Sequence, residues 1–123
     1  YPGLMDVDHA WAYIPDVARA MVGLAEQRNN FDGFEEFVFD GFTLSGTQLV
    51  RKLERISGKK LKVLNFPWML VRLLAIFSAQ MREVIEMRYL WNKPHSIDGS
   101  KLKAVLSDFT PTPVETVLRK VMH

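Results

Sequence analysis

Pro15 is the residue that most restricts how this chain can fold. It stands between a short apolar stretch, Ala10–Tyr13, and a run of residues with helical period. Lacking an N–H, it cannot extend a strand ladder, so a strand over Ala10–Tyr13 must end there. Asp16 follows, and its carboxylate can accept from the first free N–H groups of a helix. Val17, Ala20, Met21, Leu24 and Ala25 then recur at the i, i+3, i+4, i+7, i+8 spacing of one helical face. The expected local structure is strand, tight turn, helix, with Asp16 as the N-cap. A carboxylate in this setting is a cap far more often than an acid/base group, which assigns Asp16 to the scaffold.

The rest of the chain alternates turn signals with short periodic segments. Asn29-Asn30 and Asp32-Gly33 mark a linker. Phe37-Val38-Phe39 within Glu36–Asp40 reads as a second strand, and Lys62–Phe66 as a third. Ser45-Gly46-Thr47-Gln48 has the form of a capping box, opening a helix that buries Leu49, Val50, Leu53 and Ile56 and stops at Gly58. Pro67 suits the first position of a helix over Trp68–Phe77. That helix is apolar nearly all round, so it should be buried on several sides or lie at an interface. Ser78 can cap a further helix to about Trp91. Ile97–Ser100 leads into a short helix, Lys101–Leu106. Thr112-Pro113-Val114-Glu115 is a second capping box, before a helix that buries Val114, Val117, Leu118 and Val121. The pattern predicts an α+β fold in one domain over residues 1–123, with a small mixed sheet of about three short strands and about five helices.

Composition narrows the function. The 123 residues suffice for one modest core. Sixteen Lys and Arg against fourteen Asp and Glu are too balanced to point to nucleic acid. The basic residues from Arg51 to Lys60 read as a solvated helix face, diluted by Glu54. With no cysteine there is no disulfide, thiolate metal site or Cys nucleophile, which fits a cytoplasmic protein. Phe66–Phe77 is too short for a membrane span, for which about 18 apolar residues are needed. The chain starts Tyr1-Pro2-Gly3-Leu4 instead of with Met and shows no leader, so a processed product or a fragment is expected.

Chemistry is mainly conspicuous by what is missing. The seven glycines form no G-x-G-x-x-G turn for a dinucleotide. Tyr89 and Lys93 have the Tyr-x-x-x-Lys spacing of an acid/base pair, but Pro94 marks the end of that helix and no partner Ser lies in a strand upstream. His9, His95 and His123 are too dispersed in sequence to suggest a metal site. No catalytic, cofactor-binding or metal-binding residue is assigned. The candidate substrate-binding residues are His9, Trp11, Trp68, Arg88, Tyr89 and Trp91, large amphipathic side chains at loop and helix ends, as a mostly apolar pocket with few polar contacts requires.

Five segments carry a resemblance. Tyr13–Ala20 resembles the Tyr-(Ile/Val)-x-Asp-(Val/Leu)-Ala-x-Ala segment of the extended short-chain dehydrogenase/reductases, the NAD-dependent epimerase/dehydratase family. Phe37-Val38-Phe39-Asp40-Gly41 is similar to its Val-Tyr-Asn-x-Gly strand, with Asp40 in place of Asn. Thr43–Gly58 resembles its threonine-started helix, and Ile97–Lys101 its (Leu/Ala)-Asp-x-Ser-Lys element. Phe109–Glu115 resembles its Trp-x-Pro-x-Thr-x-Leu-Glu ending.

The resemblance implies the C-terminal substrate-binding lobe of such an oxidoreductase, without the Rossmann core and its catalytic Ser, Tyr and Lys. The isolated chain is then inactive. The intact protein would use NAD or NADP on a nucleotide-sugar or related small molecule, and Arg88 lies near the place from which the family supplies an Arg to a substrate phosphate. The implied partners are the missing dinucleotide-binding domain or a second copy in a homodimer. A different class of reading is a stand-alone interaction domain that docks through the Trp68–Trp91 helices. Without a glycine-rich phosphate turn, the chain is expected to bind neither NAD nor NADP; calorimetric titration should show no dissociation constant below about 100 μM, roughly −5.5 kcal/mol.

Overall fold

Strand β1 (Asp8–Trp11) pairs with β2 (Phe42–Ser45) in an antiparallel ribbon, and a bond from the Thr47 N–H to the Met5 carbonyl (2.9 Å) carries the alignment past the strand ends. The computed structural model describes residues 1–122. Besides this ribbon the α+β fold contains helices α1 (Ile14–Glu26), α2 (Gly46–Ser57), α3 (Trp68–Ala75), α4 (Ala79–Glu86), α5 (Ser100–Val105) and α6 (Val114–Val121). Single 3₁₀ stretches occupy Arg28–Asn30 and Met87–Asn92.

The residues fall into two compact units. The first holds Tyr1–His9 and Leu44–His95; the second holds Ala10–Thr43 and the chain from Ser96 onward.

The first unit contains the best match between local sequence and structure. Ser45 Oγ accepts from the Gln48 N–H, and Gln48 Oε1 accepts from the Ser45 N–H, so the expected capping box opens α2. Gly58, at φ 67°, supplies the left-handed residue that ends it. Leu49, Val50, Leu53 and Ile56 are half-buried on its inner face. Pro67 stands at the N-cap of α3, which inserts Val71 and Ala75 inward. The helix expected from Ser78 to Trp91 breaks in two: α4 stops at Glu86 and a 3₁₀ stretch completes the run. Ser78 stands at the N-cap without a side-chain capping bond.

The second unit is built on Ala20, Leu102 and Leu106, with Leu24, Phe37, Phe39, Val105 and Phe109 packed around them. Two strand expectations fail. Phe37 and Phe39 both pack against this cluster, so Glu36–Asp40 is held by its rings and not by a ladder. In the first unit, Lys62–Phe66 forms no ladder: the Tyr1 amino group donates to the Leu64 carbonyl, the Tyr1 carbonyl accepts from the Phe66 N–H, and the Phe66 carbonyl accepts from the nearby Trp68 N–H. The sheet therefore has two antiparallel strands among the described residues, not three in a mixed arrangement, and its second strand is Phe42–Ser45. Met21 and Val121, expected inside, are 66% and 71% exposed. Leu106 and Phe109, not Met21, fill the space beside α1.

Asp16 is not the N-cap. Helix α1 begins at Ile14 with Tyr13 as the cap and Pro15 in its first turn, which leaves Asp16 inside that turn, 2% exposed. Its carboxylate accepts from the Arg19 guanidinium (2.7 Å), the Thr112 N–H (2.6 Å) and the Thr112 hydroxyl (2.8 Å). Arg19 also donates to the Thr110 carbonyl and stacks on Phe109, 5.0 Å from its centroid. Thr112 is thus taken by Asp16 and does not cap α6, whose N-cap is Pro113.

Burial alone would raise the Asp16 pKa, but the bonds from Arg19 and Thr112 outweigh it and hold the carboxyl below its ordinary value. A depressed carboxylate stabilises the fold above its unfolded pKa, and that stabilisation is lost as pH falls through the folded value. Asp16→Asn should cost about as much as Asp16→Ala, on the order of 2–3 kcal/mol for charge-assisted bonds, because an amide nitrogen would face a donor. Denaturant unfolding checks this, and both variants should lose less stability than the parent chain when the pH drops below about 4.

Candidate functional site

In the first unit, Tyr1–Leu4, Asn65, Phe66, Trp68, Arg88 and Asn92 line a cleft of about 280 Å³. Backbone pairing of the N-terminal segment builds one wall. The Leu4 N–H donates to the Trp91 carbonyl (3.3 Å), and Tyr1 pairs with Leu64 and Phe66. Gly3 is required here: a Cβ would lie 2.1 Å from the Trp91 carbonyl oxygen, too close for any side chain without a backbone shift. Helix α3 brings Trp68 to the other side, and its indole N–H donates to the Pro2 carbonyl (2.8 Å), which fixes the ring. Phe66 packs on Trp68 with centroids 4.8 Å apart.

Arg88 supplies the charge. Its guanidinium lies over the Trp68 ring, 5.1 Å from the centroid, a cation–π arrangement that holds it while leaving its N–H groups for a ligand. The Asn92 amide donates to the Arg88 carbonyl (3.3 Å), tying the two residues of the 3₁₀ stretch together. The cleft therefore offers a planar cation, two amide side chains and aromatic walls. That donor set suits a carboxylate or phosphate joined to a flat or apolar group.

Tyr1, which lines the cleft, also belongs to an aromatic cluster with His9, Trp91 and His95. Its ring is 5.9 Å from Trp91, edge on, and 6.3 Å from His9. His9 is 3% exposed and meets Trp91 edge-on at 5.6 Å. His9 Nδ1 lies 3.4 Å from His95 Nδ1, so the two histidines that seemed dispersed are neighbours. Among the described residues no group of three His, Asp or Glu side chains is arranged to hold a metal ion.

Burial, and then the neighbouring His95, push the His9 pKa below its ordinary value; Asp8 and the Trp91 backbone oppose them. Burial raises the Tyr1 phenol.

The six candidate residues divide by position. Trp68 and Arg88 meet in the cleft. His9 and Trp91 meet in the cluster that Tyr1 joins to it. Tyr89 is 58% exposed with Lys93 6.0 Å from its ring, away from the cleft lining. Trp11 belongs to the second unit and is half-buried. Sequence reasoning missed Tyr1, Asn65, Asn92 and His95, none of which lies in a periodic or motif-like setting. A second cavity, about 220 Å³ beside Gly23, Glu26 and Val105–Phe109, holds two carboxylates and no cationic side chain.

No family model, curated protein or solved structure matches the chain.

A histidine with a depressed pKa stabilises the fold above its unfolded value, and the stabilisation declines as pH falls from about 6.5 toward the folded value. His9→Phe should flatten that slope. Proton NMR should show the His9 ring titrating below the ordinary histidine value, and urea unfolding at pH 7 and pH 5 should show a smaller difference in the variant than in the parent.

Proposed function

We propose that the chain is the substrate-binding lobe of an NAD(P)-dependent oxidoreductase of the epimerase/dehydratase type, and that its first unit grips an anionic end of the substrate. The observation that carries this reading is Arg88 held on the face of Trp68 within a cleft that also presents the amides of Asn65 and Asn92. Five family-like segments in the family's order support the same reading. The nucleotide cofactor, NAD or NADP, belongs to the dinucleotide-binding part that the resemblance implies. No residue of this chain is assigned to it.

Size limits what the cleft takes. Ligand pockets for whole drug-sized molecules run from about 300 to 1,000 Å³. A cleft of about 280 Å³ accommodates one end of a nucleotide-sugar, with the phosphate on Arg88 and a flat or apolar portion against Trp68 and Phe66. In the intact oxidoreductase, the role of this lobe is then to hold and orient substrate, so its contribution to rate comes through positioning.

Uridine diphosphate is a suitable probe, with inorganic phosphate as the minimal one. Both should bind the parent chain weakly, in the millimolar range or somewhat tighter, equivalent to about −4 kcal/mol. Arg88→Gln should weaken binding by roughly tenfold or more, because a charge-assisted bond contributes about 1.5–3 kcal/mol. Arg88→Lys should recover only part of it, since a lysine lacks the planar fork. Isothermal calorimetry reads both. Equal binding by parent and Arg88→Gln would rule out this cleft as the anion site.

A further inference from the structure

The outer face of α3 is unlike the rest of the chain. Val71 and Ala75 point inward, while Met69, Leu70, Leu73, Leu74, Ile76 and Phe77 face solvent at 47–86% exposure. That contiguous run of large apolar side chains exceeds what an isolated soluble domain normally leaves uncovered. Charge singles out the same region. Residues 55–82 contain six Lys and Arg and no Asp or Glu. Arg72 is exposed on α3 itself, and Arg82 donates to the Ala75 carbonyl at its end (3.2 Å). Lys59, Lys60 and Lys62 are exposed just before it in sequence.

We propose that this face docks on an anionic lipid bilayer, with α3 lying in the interface and its apolar side chains entering the acyl boundary. A bilayer of this kind supplies both things the face lacks, an apolar medium and negative charge beside it. Charge disfavours a second copy as occupant: a two-fold contact would bring together two copies of a segment, residues 55–82, that has six cations and no acid of its own. The helix is far too short to cross the membrane, and no helix among the described residues is long and apolar enough to do so. The association is therefore peripheral. It is independent of the substrate-lobe reading, because it uses none of the groups assigned to the anion cleft.

Co-sedimentation of the full chain with vesicles tests it. Vesicles of phosphatidylcholine with about a third phosphatidylserine should bind the chain about tenfold more strongly than pure phosphatidylcholine, and raising salt to about 0.5 M should weaken the difference. Leu73→Glu with Phe77→Glu, both at exposed positions, should abolish binding while leaving the helical circular dichroism unchanged. Lys59→Glu with Lys62→Glu should lower binding to the anionic vesicles alone. Val22→Glu, exposed on α1, should bind like the parent. The proposal is overturned if the folded chain binds neither vesicle, binds both equally, or is indifferent to the α3 substitutions. It is also overturned if light scattering shows a dimer that the α3 substitutions dissociate while no vesicle binding is seen, which assigns the face to a second copy.

Discussion

The second unit depends on one buried carboxylate. Asp16 lies in the first turn of α1 and gathers donors from two stretches of chain: Arg19 one turn on, and Thr112, 96 residues away. A buried charge left without partners costs several kcal/mol, so the segment around Thr110–Thr112 must come to α1 for the helix to keep its acid ionised. Arg19 reinforces the arrangement by bonding Thr110 and stacking on Phe109, a ring that also packs against the Ala20–Leu102–Leu106 cluster. Polar and apolar packing therefore favour the same placement of the chain. Three donors occupy the carboxylate, which assigns this acid to structure.

What could be read from the sequence follows the range of each interaction. The caps of α2 are local: Ser45 and Gln48 bond each other, and Gly58 acts through its own φ angle. They were legible because nothing distant decides them. Asp16 was legible as a helix-start residue but not as an anchor, because its main partner is remote in sequence. The expectation of a strand over Phe37–Phe39 rested on an apolar pattern that a packed loop also satisfies. Tertiary contact with the α1–α5 cluster decided between them. The strand that does form, Phe42–Ser45, carries little signal, since its partner is more than thirty residues away and its last residue doubles as a cap.

The same rule applies to the candidate site. Trp68 and Arg88 could be named from residue type and helix-end position, and they meet in one cleft. The wall facing them is made by Tyr1–Leu4, whose role rests on backbone bonds to Leu64, Phe66 and Trp91 that side-chain patterns do not encode. His9 and His95 are separated by 86 residues, and only the folded chain makes them a pair. Trp11, chosen for its side chain alone, lies in the other unit.

The amide of Thr112 tests the central claim, that the buried Asp16 carboxylate is a structural anchor. Its N–H donates to Asp16 across 2.6 Å from a loop that would otherwise be solvated. If the carboxylate holds this segment, native-state hydrogen exchange should show the Thr112 amide opening with the same free energy as the core amides of α1. Exchange at the rate of an unprotected loop amide, while α1 remains protected, would contradict the account.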